Sequence, residues 1–219
     1  MRYFAGKLES AGYSVNVPRL PGHGTSIEDM LSTNRRDWYR AARDAYLECA
    51  SRFDLVSVAG LSMGGVLAAM LGAEFALAKI VFISTPHTIR NPAIYAAPLL
   101  GRVIRILPLS NPTLGINDKE ARRTHICYRE GVPIASTWEL FRLIQEGIEM
   151  LPQVIAPALV IQSSSDKVIP ADSSDYIVSH LGSAVAKQVW FKKSNHVIVR
   201  DYDRDETAAA VVRFLGEGE

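Results

Sequence analysis

Short apolar runs alternate with amphipathic stretches along most of the chain, and this pattern predicts its elements. Asp54–Ala59, Lys79–Ser84 and Ala158–Gln162 read as buried strands, and Val185–Phe191 as another. Tyr13–Val17 alternates apolar with polar and stops at Pro18, which predicts one more strand. Helical spacing predicts helices over Tyr3–Ser10, Trp38–Ser51, Val66–Leu71, Ser173–Leu181 and Asp205–Leu215. In the second of these, Trp38, Ala41, Ala45 and Cys49 fall on one face, and Ser32–Asp37 offers capping residues. Strands that alternate with helices predict an α/β protein, with a mostly parallel sheet covered on both faces.

The texture changes between His87 and Leu151. Prolines stand at 92, 98, 108, 112 and 133, and apolar patches run over Ile94–Leu100 and Val103–Leu109. A regular helix is predicted over Pro133–Glu149, and no strand pattern is visible. Residues 87–151 therefore read as a helical insertion in a core made of 1–86 and 152–219.

Gly60-Leu61-Ser62-Met63-Gly64 lies between a predicted strand and a predicted helix. In that context Gly-x-Ser-x-Gly is the pattern of a nucleophile elbow. A turn this sharp strains the serine backbone and needs neighbours with almost no side chain, a demand assigned to Gly60 and Gly64. The turn would lift the Ser62 hydroxyl clear of the sheet, with the Met63 N–H beside it at a helix N-terminus.

Composition narrows the remaining options. The chain has 219 residues, 48% hydrophobic, with a formal net charge of +1, enough for one domain with a sizeable core. A near-neutral balance offers no electrostatic basis for a nucleic-acid partner. Cys49 and Cys127 are far apart and in no metal-ligand spacing, so both read as small buried apolar residues. No run is long enough for a membrane span, and residues 1–9 lack a signal-peptide core, which makes cytoplasmic localisation the expectation.

A serine hydroxyl needs a base to take its proton and an anion to orient that base. Both groups should follow strands, in the chain order serine, acid, histidine. Asp166 follows the Ala158–Gln162 strand in a polar loop ahead of Pro170. Asp172 and Asp175 fall in the next helix and read as surface or dipole-facing charges. Asp118 follows no strand. His196 follows the last predicted strand. His180 lies in a helix, His23 in the Pro21–Gly24 turn reads as structural, and His125 has no visible partner. His87 follows a strand but precedes the acid, and is kept as a pocket-lining residue.

Taken together, the sequence resembles the bacterial carboxylesterases and monoacylglycerol lipases of the α/β-hydrolase fold. The matching pieces are Leu20-Pro21-Gly22-His23-Gly24-Thr25, Asp37-Trp38, Val58–Gly65, Gln162–Asp166 with Ile169-Pro170, and Ser194-Asn195-His196-Val197-Ile198. The resemblance covers nearly the whole chain. It implies a Ser62, Asp166 and His196 triad, a small helical cap, and hydrolysis of short to medium acyl esters or monoglycerides without a cofactor or metal. The implied partner is a small-molecule ester, and a homodimer stays open. Ile94, Leu99, Leu100, Val103, Ile104, Ile106, Leu107 and Leu109 would either roof an acyl pocket or pack the cap onto the core.

The family also carries an inner strand ahead of the first helix, ending in a His-Gly-aromatic loop that gives a second oxyanion N–H. This sequence opens directly in the helix, which implies that the N-terminal strands of the fold are missing. Three alternatives follow: a truncated start, a rearranged or partner-donated strand, or direct pairing of the elbow strand with residues 13–17 and weak catalysis. A non-catalytic binding or scaffold protein is the rival reading, and amide, thioester or carbon–carbon cleavage is a third.

Overall fold

The computed structural model describes residues 1–108, 115–124 and 131–217. Its strands in chain order are β1 (Val58–Leu61), β2 (Ile80–Ile83), β3 (Ile106–Leu107), β4 (Val132–Pro133), β5 (Ala158–Ser163) and β6 (Ala186–Phe191). Its α-helices are α1 (Arg2–Ser10), α2 (Ile27–Leu31), α3 (Arg35–Ala50), α4 (Met63–Glu74), α5 (Ala97–Leu100), α6 (Lys119–Arg123), α7 (Ile134–Glu149), α8 (Ser173–His180) and α9 (Arg204–Leu215). Among the described residues β1, β2, β5 and β6 form a parallel sheet in the order β1-β2-β5-β6. The register aligns Leu61 with Ile83 and Ile83 with Ile161, so the strand ends fall at one edge.

The pleat explains why the inner strands are apolar throughout. Ile80, Phe82, Ala158 and Val160 face a core shared with Trp38 of α3, Val66 and Leu67 of α4, Leu143 and Ile144 of α7 and Ile177 of α8. Val81, Ile83, Leu159 and Ile161 face the opposite core, closed by Phe4 and Leu8 of α1 and by Ala208, Val211 and Phe214 of α9. Helix α4 is buried over Gly65–Gly72 because it lies between the sheet and α7. Gly147 lets α7 approach, since a Cβ there would come within 2.5 Å of Val66.

Several expectations are corrected. Residues 13–17 carry no strand, and the only partner of β1 among the described residues is β2. The alternation at 13–17 instead reflects one-sided packing, with Tyr13 and Val15 against the second core. Direct pairing of the elbow strand with this segment does not occur. The elbow strand begins at Val58 rather than Asp54, and Leu55 is 77% exposed. The 87–151 stretch does contain strand: β3 and β4 pair antiparallel, two residues each, too short to show a pattern.

Helix α3 presents Trp38, Tyr39, Ala42 and Tyr46 to the core, so the predicted Ala41–Ala45–Cys49 stripe is displaced by about one residue. Cys49 is accordingly half-buried. The cap of α3 is Asn34 in a reciprocal capping box with Asp37, inside the predicted stretch. Of the apolar insertion residues, Ile94 is buried and Ile106 half-buried, whereas Leu99, Leu100, Val103, Ile104 and Leu107 are exposed. Leu109, His125 and Cys127 lie outside the described residues. No helix among the described residues is long and apolar enough to cross a membrane.

Candidate active site

The site is built where β1, β2, β5 and β6 end. Ser62 follows β1 directly and serves as N-cap of α4, with φ 54° and ψ −119°. That is left-handed backbone carried by a non-glycine residue, a strained state held by its surroundings. One restraint is visible: the Ser62 N–H donates to the Ile83 carbonyl at 2.8 Å, which continues the ladder past the strand end.

Space for the turn comes from two glycines, only one of them expected. A Cβ on Gly60 would meet the Gly64 carbonyl oxygen at 2.0 Å, and a Cβ on Gly65 would meet Thr85 Oγ1 at 1.8 Å. A Cβ on Gly64 would meet nothing within 4 Å. The steric demand therefore falls on Gly60 and Gly65, where α4 crosses the end of β2.

Three distant segments meet at the hydroxyl. His196 Nε2 lies 2.8 Å from Ser62 Oγ, and His196 Nδ1 lies 2.9 Å from Asp166 Oδ2. The Asp166 side chain is fully shielded from solvent and that of His196 is 10% exposed. A carboxylate can only accept, so Nδ1–H donates to Asp166 and Nε2 accepts from the serine hydroxyl. The other oxygen, Asp166 Oδ1, accepts the backbone N–H groups of Val168 at 2.8 Å and Ile169 at 3.2 Å. The carboxylate is therefore anchored by its own loop before it meets the imidazole. Met63 contributes the first amide of α4, which by its position has no acceptor inside the helix. The arrangement can activate a hydroxyl and receive negative charge beside it.

The sequence patterns did not reveal the groups that hold this arrangement. Asn195 Oδ1 accepts from Lys167 N at 3.0 Å and from His196 N at 2.9 Å, joining the acid loop to the histidine loop. Ser163 Oγ donates to the Ser194 carbonyl. Asp203 accepts from the N–H groups of Lys193 and Ser194, and Asp201 from those of Asn195, Asn117, Asp118 and Tyr202. Ser84, at φ 46° just after β2, is fully buried, and its hydroxyl has no hydrogen-bond partner among the described residues. No local pattern marks Asn195, Asp201 or Ser163, because each also bonds a backbone group of another segment: Lys167 for Asn195, Asn117 and Asp118 for Asp201, Ser194 for Ser163.

The remaining candidates lie outside the relay. His23 packs edge-on against Trp38 and its Nδ1 meets the Pro21 carbonyl at 3.1 Å, a structural place; burial lowers its pKa. His87 stacks on Tyr176 and meets Ser173 Oγ at 3.0 Å, and burial lowers its pKa too. Asp172 pairs with Arg90, Asp175 accepts from Gln188, and Asp118 caps α6. His180 ends α8 and stacks on Tyr176. Among the described residues no group of three His, Cys, Asp or Glu could hold a metal ion.

Residues 1–203 match the family model described as serine aminopeptidase, S33. The chain is 34% identical over 218 residues to a thermostable monoacylglycerol lipase of Bacillus sp. (strain H-257), an alignment covering 99% of this chain and 85% of that protein. It is 24% identical over 209 residues to a carboxylesterase of Bacillus subtilis (strain 168), covering 95% and 83%. A solved structure from work on two metagenome-derived lipolytic enzymes, LipS and LipT, superposes with a TM-score of 0.87 at 28% identity, covering 98% of this chain and 86% of the other. The Paleococcus ferrophilus monoacylglycerol lipase shares the fold, with a TM-score of 0.79 at 20% identity and coverage of 98% and 88%.

Proposed function

Because the chain belongs to the serine aminopeptidase S33 family of α/β-hydrolase-fold serine hydrolases, we propose that it hydrolyses carboxylic esters of short to medium acyl chains, monoacylglycerols among them, through Ser62, His196 and Asp166. The observation that carries this reading is the unbroken relay from the Ser62 hydroxyl through the His196 ring to the shielded Asp166 carboxylate.

Ser62 Oγ attacks the ester carbonyl while His196 Nε2 takes the hydroxyl proton. Asp166 holds the imidazole in the productive tautomer and stabilises its protonated form. The Met63 N–H donates to the oxyanion. His196 then returns its proton to the leaving alcohol, leaving an acyl group on Ser62. A water, deprotonated by His196, releases the acid and restores the serine. In this reading residues 87–151 form a cap on a core of 1–86 and 152–219. The approach of Gly115 to His196, where an added Cβ would lie 3.4 Å from the histidine Cβ, supports a cap seated at the mouth.

Turnover of p-nitrophenyl butyrate by the wild-type protein and its loss in Ser62→Ala is the first test. Retained turnover in that variant removes the assignment. Labelling with a fluorophosphonate separates an enzyme from a binding protein on this fold: rapid modification at Ser62 is expected, and a folded but inert protein would favour the binding role. Comparing monoacylglycerols of different length with matched amides then fixes acyl length and bond type.

A further inference from the structure

We infer that Asp201 is a positioning residue for His196, and that it works by clamping the insertion segment 115–118 to the histidine loop. The inference rests on the triad reading above.

Asp201 is fully buried at the end of the 3₁₀ turn Ile198–Arg200. Its Oδ2 accepts the N–H of Asn117 at 2.7 Å and of Asn195 at 2.8 Å. Its Oδ1 accepts the N–H of Asp118 at 2.8 Å and of Tyr202 at 2.9 Å. Each oxygen thus holds one amide of the insertion and one amide of the core. Asn195 precedes His196, and its own side chain fixes the His196 N–H. The same seam carries Val197 N–H to the Gly115 carbonyl at 2.9 Å and Asn117 Nδ2 to the Lys193 carbonyl at 2.9 Å. Gly115 lies beside His196, where an added Cβ would come 3.4 Å from the histidine Cβ. One carboxylate therefore fixes both the loop that carries the imidazole and the segment packed beside it.

The chemistry demands an acceptor at both oxygens. A carboxylate offers lone pairs in all four directions, whereas a carboxamide turns one acceptor into a donor. Asp201→Asn keeps the size but sets an NH₂ against two N–H groups, so two amides lose their acceptor. The seam then loosens, and His196 loses its fixed distance to Ser62. Small displacements of a reacting group are costly in rate.

The test measures p-nitrophenyl butyrate hydrolysis, amide hydrogen exchange and the low-field proton resonance of the His196–Asp166 hydrogen bond, the last assigned by its loss in His196→Ala. In Asp201→Asn, kcat should fall by about 10- to 100-fold with KM changed less than about threefold. Exchange should speed up at Asn117, Asp118 and Asn195 but not in β2 or β5, and the resonance should broaden or vanish. A second variant covers the case in which Asp201→Asn does not fold. Asn117→Ala removes the side-chain bonds of the seam from its outer rim and should lower kcat by about 3- to 10-fold, the scale of a lost hydrogen bond. A folded Asp201→Asn with lower thermal stability but unchanged kcat and resonance would make Asp201 merely structural and overturn the inference. Where only Asn117→Ala folds, faster exchange at Asp118 and Asn195 with unchanged kcat and resonance would show that loosening the clamp does not move His196, and would overturn the inference. Should the wild-type protein prove inert toward esters, the resonance still reports on Asp201, so the two readings fail separately.

Discussion

At the scale of single residues, position within the turn decides what each glycine does. Gly60 and Gly65 face backbone and Thr85 at distances no side chain tolerates, whereas Gly64 faces open space on helical backbone. Gly64→Ala should therefore stabilise the protein by about 0.5–1 kcal/mol through the helix preference of alanine, seen as a higher melting temperature with Ser62 labelling retained. Gly65→Ala should lose both folding yield and labelling, because Thr85 cannot retreat from a Cβ.

His23 makes a second residue-scale prediction. Its folded pKa is lowered by burial from an ordinary value of 6.5, so the unfolded chain binds that proton more tightly. Its contribution to stability is whole above that value and is lost as pH falls below it toward the folded pKa. Melting temperature should drop between about pH 7.5 and about pH 5.5, and His23→Gln should flatten the slope. An equal slope in both proteins would place the titration elsewhere.

At the scale of elements, packing settles what spacing left open. The predicted stripe of α3 runs through Trp38, Ala41, Ala45 and Cys49, whereas the face turned to the core carries Trp38, Ala42 and Tyr46, because α4 and α7 lie on that side. The start of α3 is tied to α7 by Arg35, whose guanidinium reaches Glu139 and Glu146 at 2.9 Å. Its side chain is 9% exposed, while those of the two glutamates are 20% and 40% exposed. Arg35→Ala leaves one shielded and one partly screened carboxylate, so the expected cost is about 1–3 kcal/mol, below that of a fully buried pair. A denaturant melt should show it as a lower midpoint with an unchanged slope. Residues 13–17 mark the limit of pattern reading at this scale. Alternation reports which side chains are covered and is silent on whether a neighbouring backbone is there to pair.

Across the whole molecule, stability depends on contacts between segments far apart in the chain. Lys79, just before β2, donates to the carbonyls of Phe214, Leu215 and Glu217 and so fastens the end of α9 to the sheet. Lys79→Met should cost about 1–2 kcal/mol, because it strips those carbonyls of a charged donor, and amides at the end of α9 should exchange faster while those of β5 do not. By itself the sequence determined the alternation of strand and helix, the sharp turn at Ser62, and Asp166 and His196 as the acid and histidine of the loops that meet it. Those features are local: a periodicity, a turn that tolerates only small neighbours, and a polar loop after an apolar run. Only the tertiary structure decided that β1 pairs with β2 and not with residues 13–17, that Gly65 rather than Gly64 makes room for the elbow, and that Asn195 and Asp201 join the histidine loop to Lys167 and to Asn117. The physical reason is common to all three. Each depends on a backbone atom or side chain brought close by folding from a distant part of the chain, and no pattern of neighbouring residues encodes such a distance.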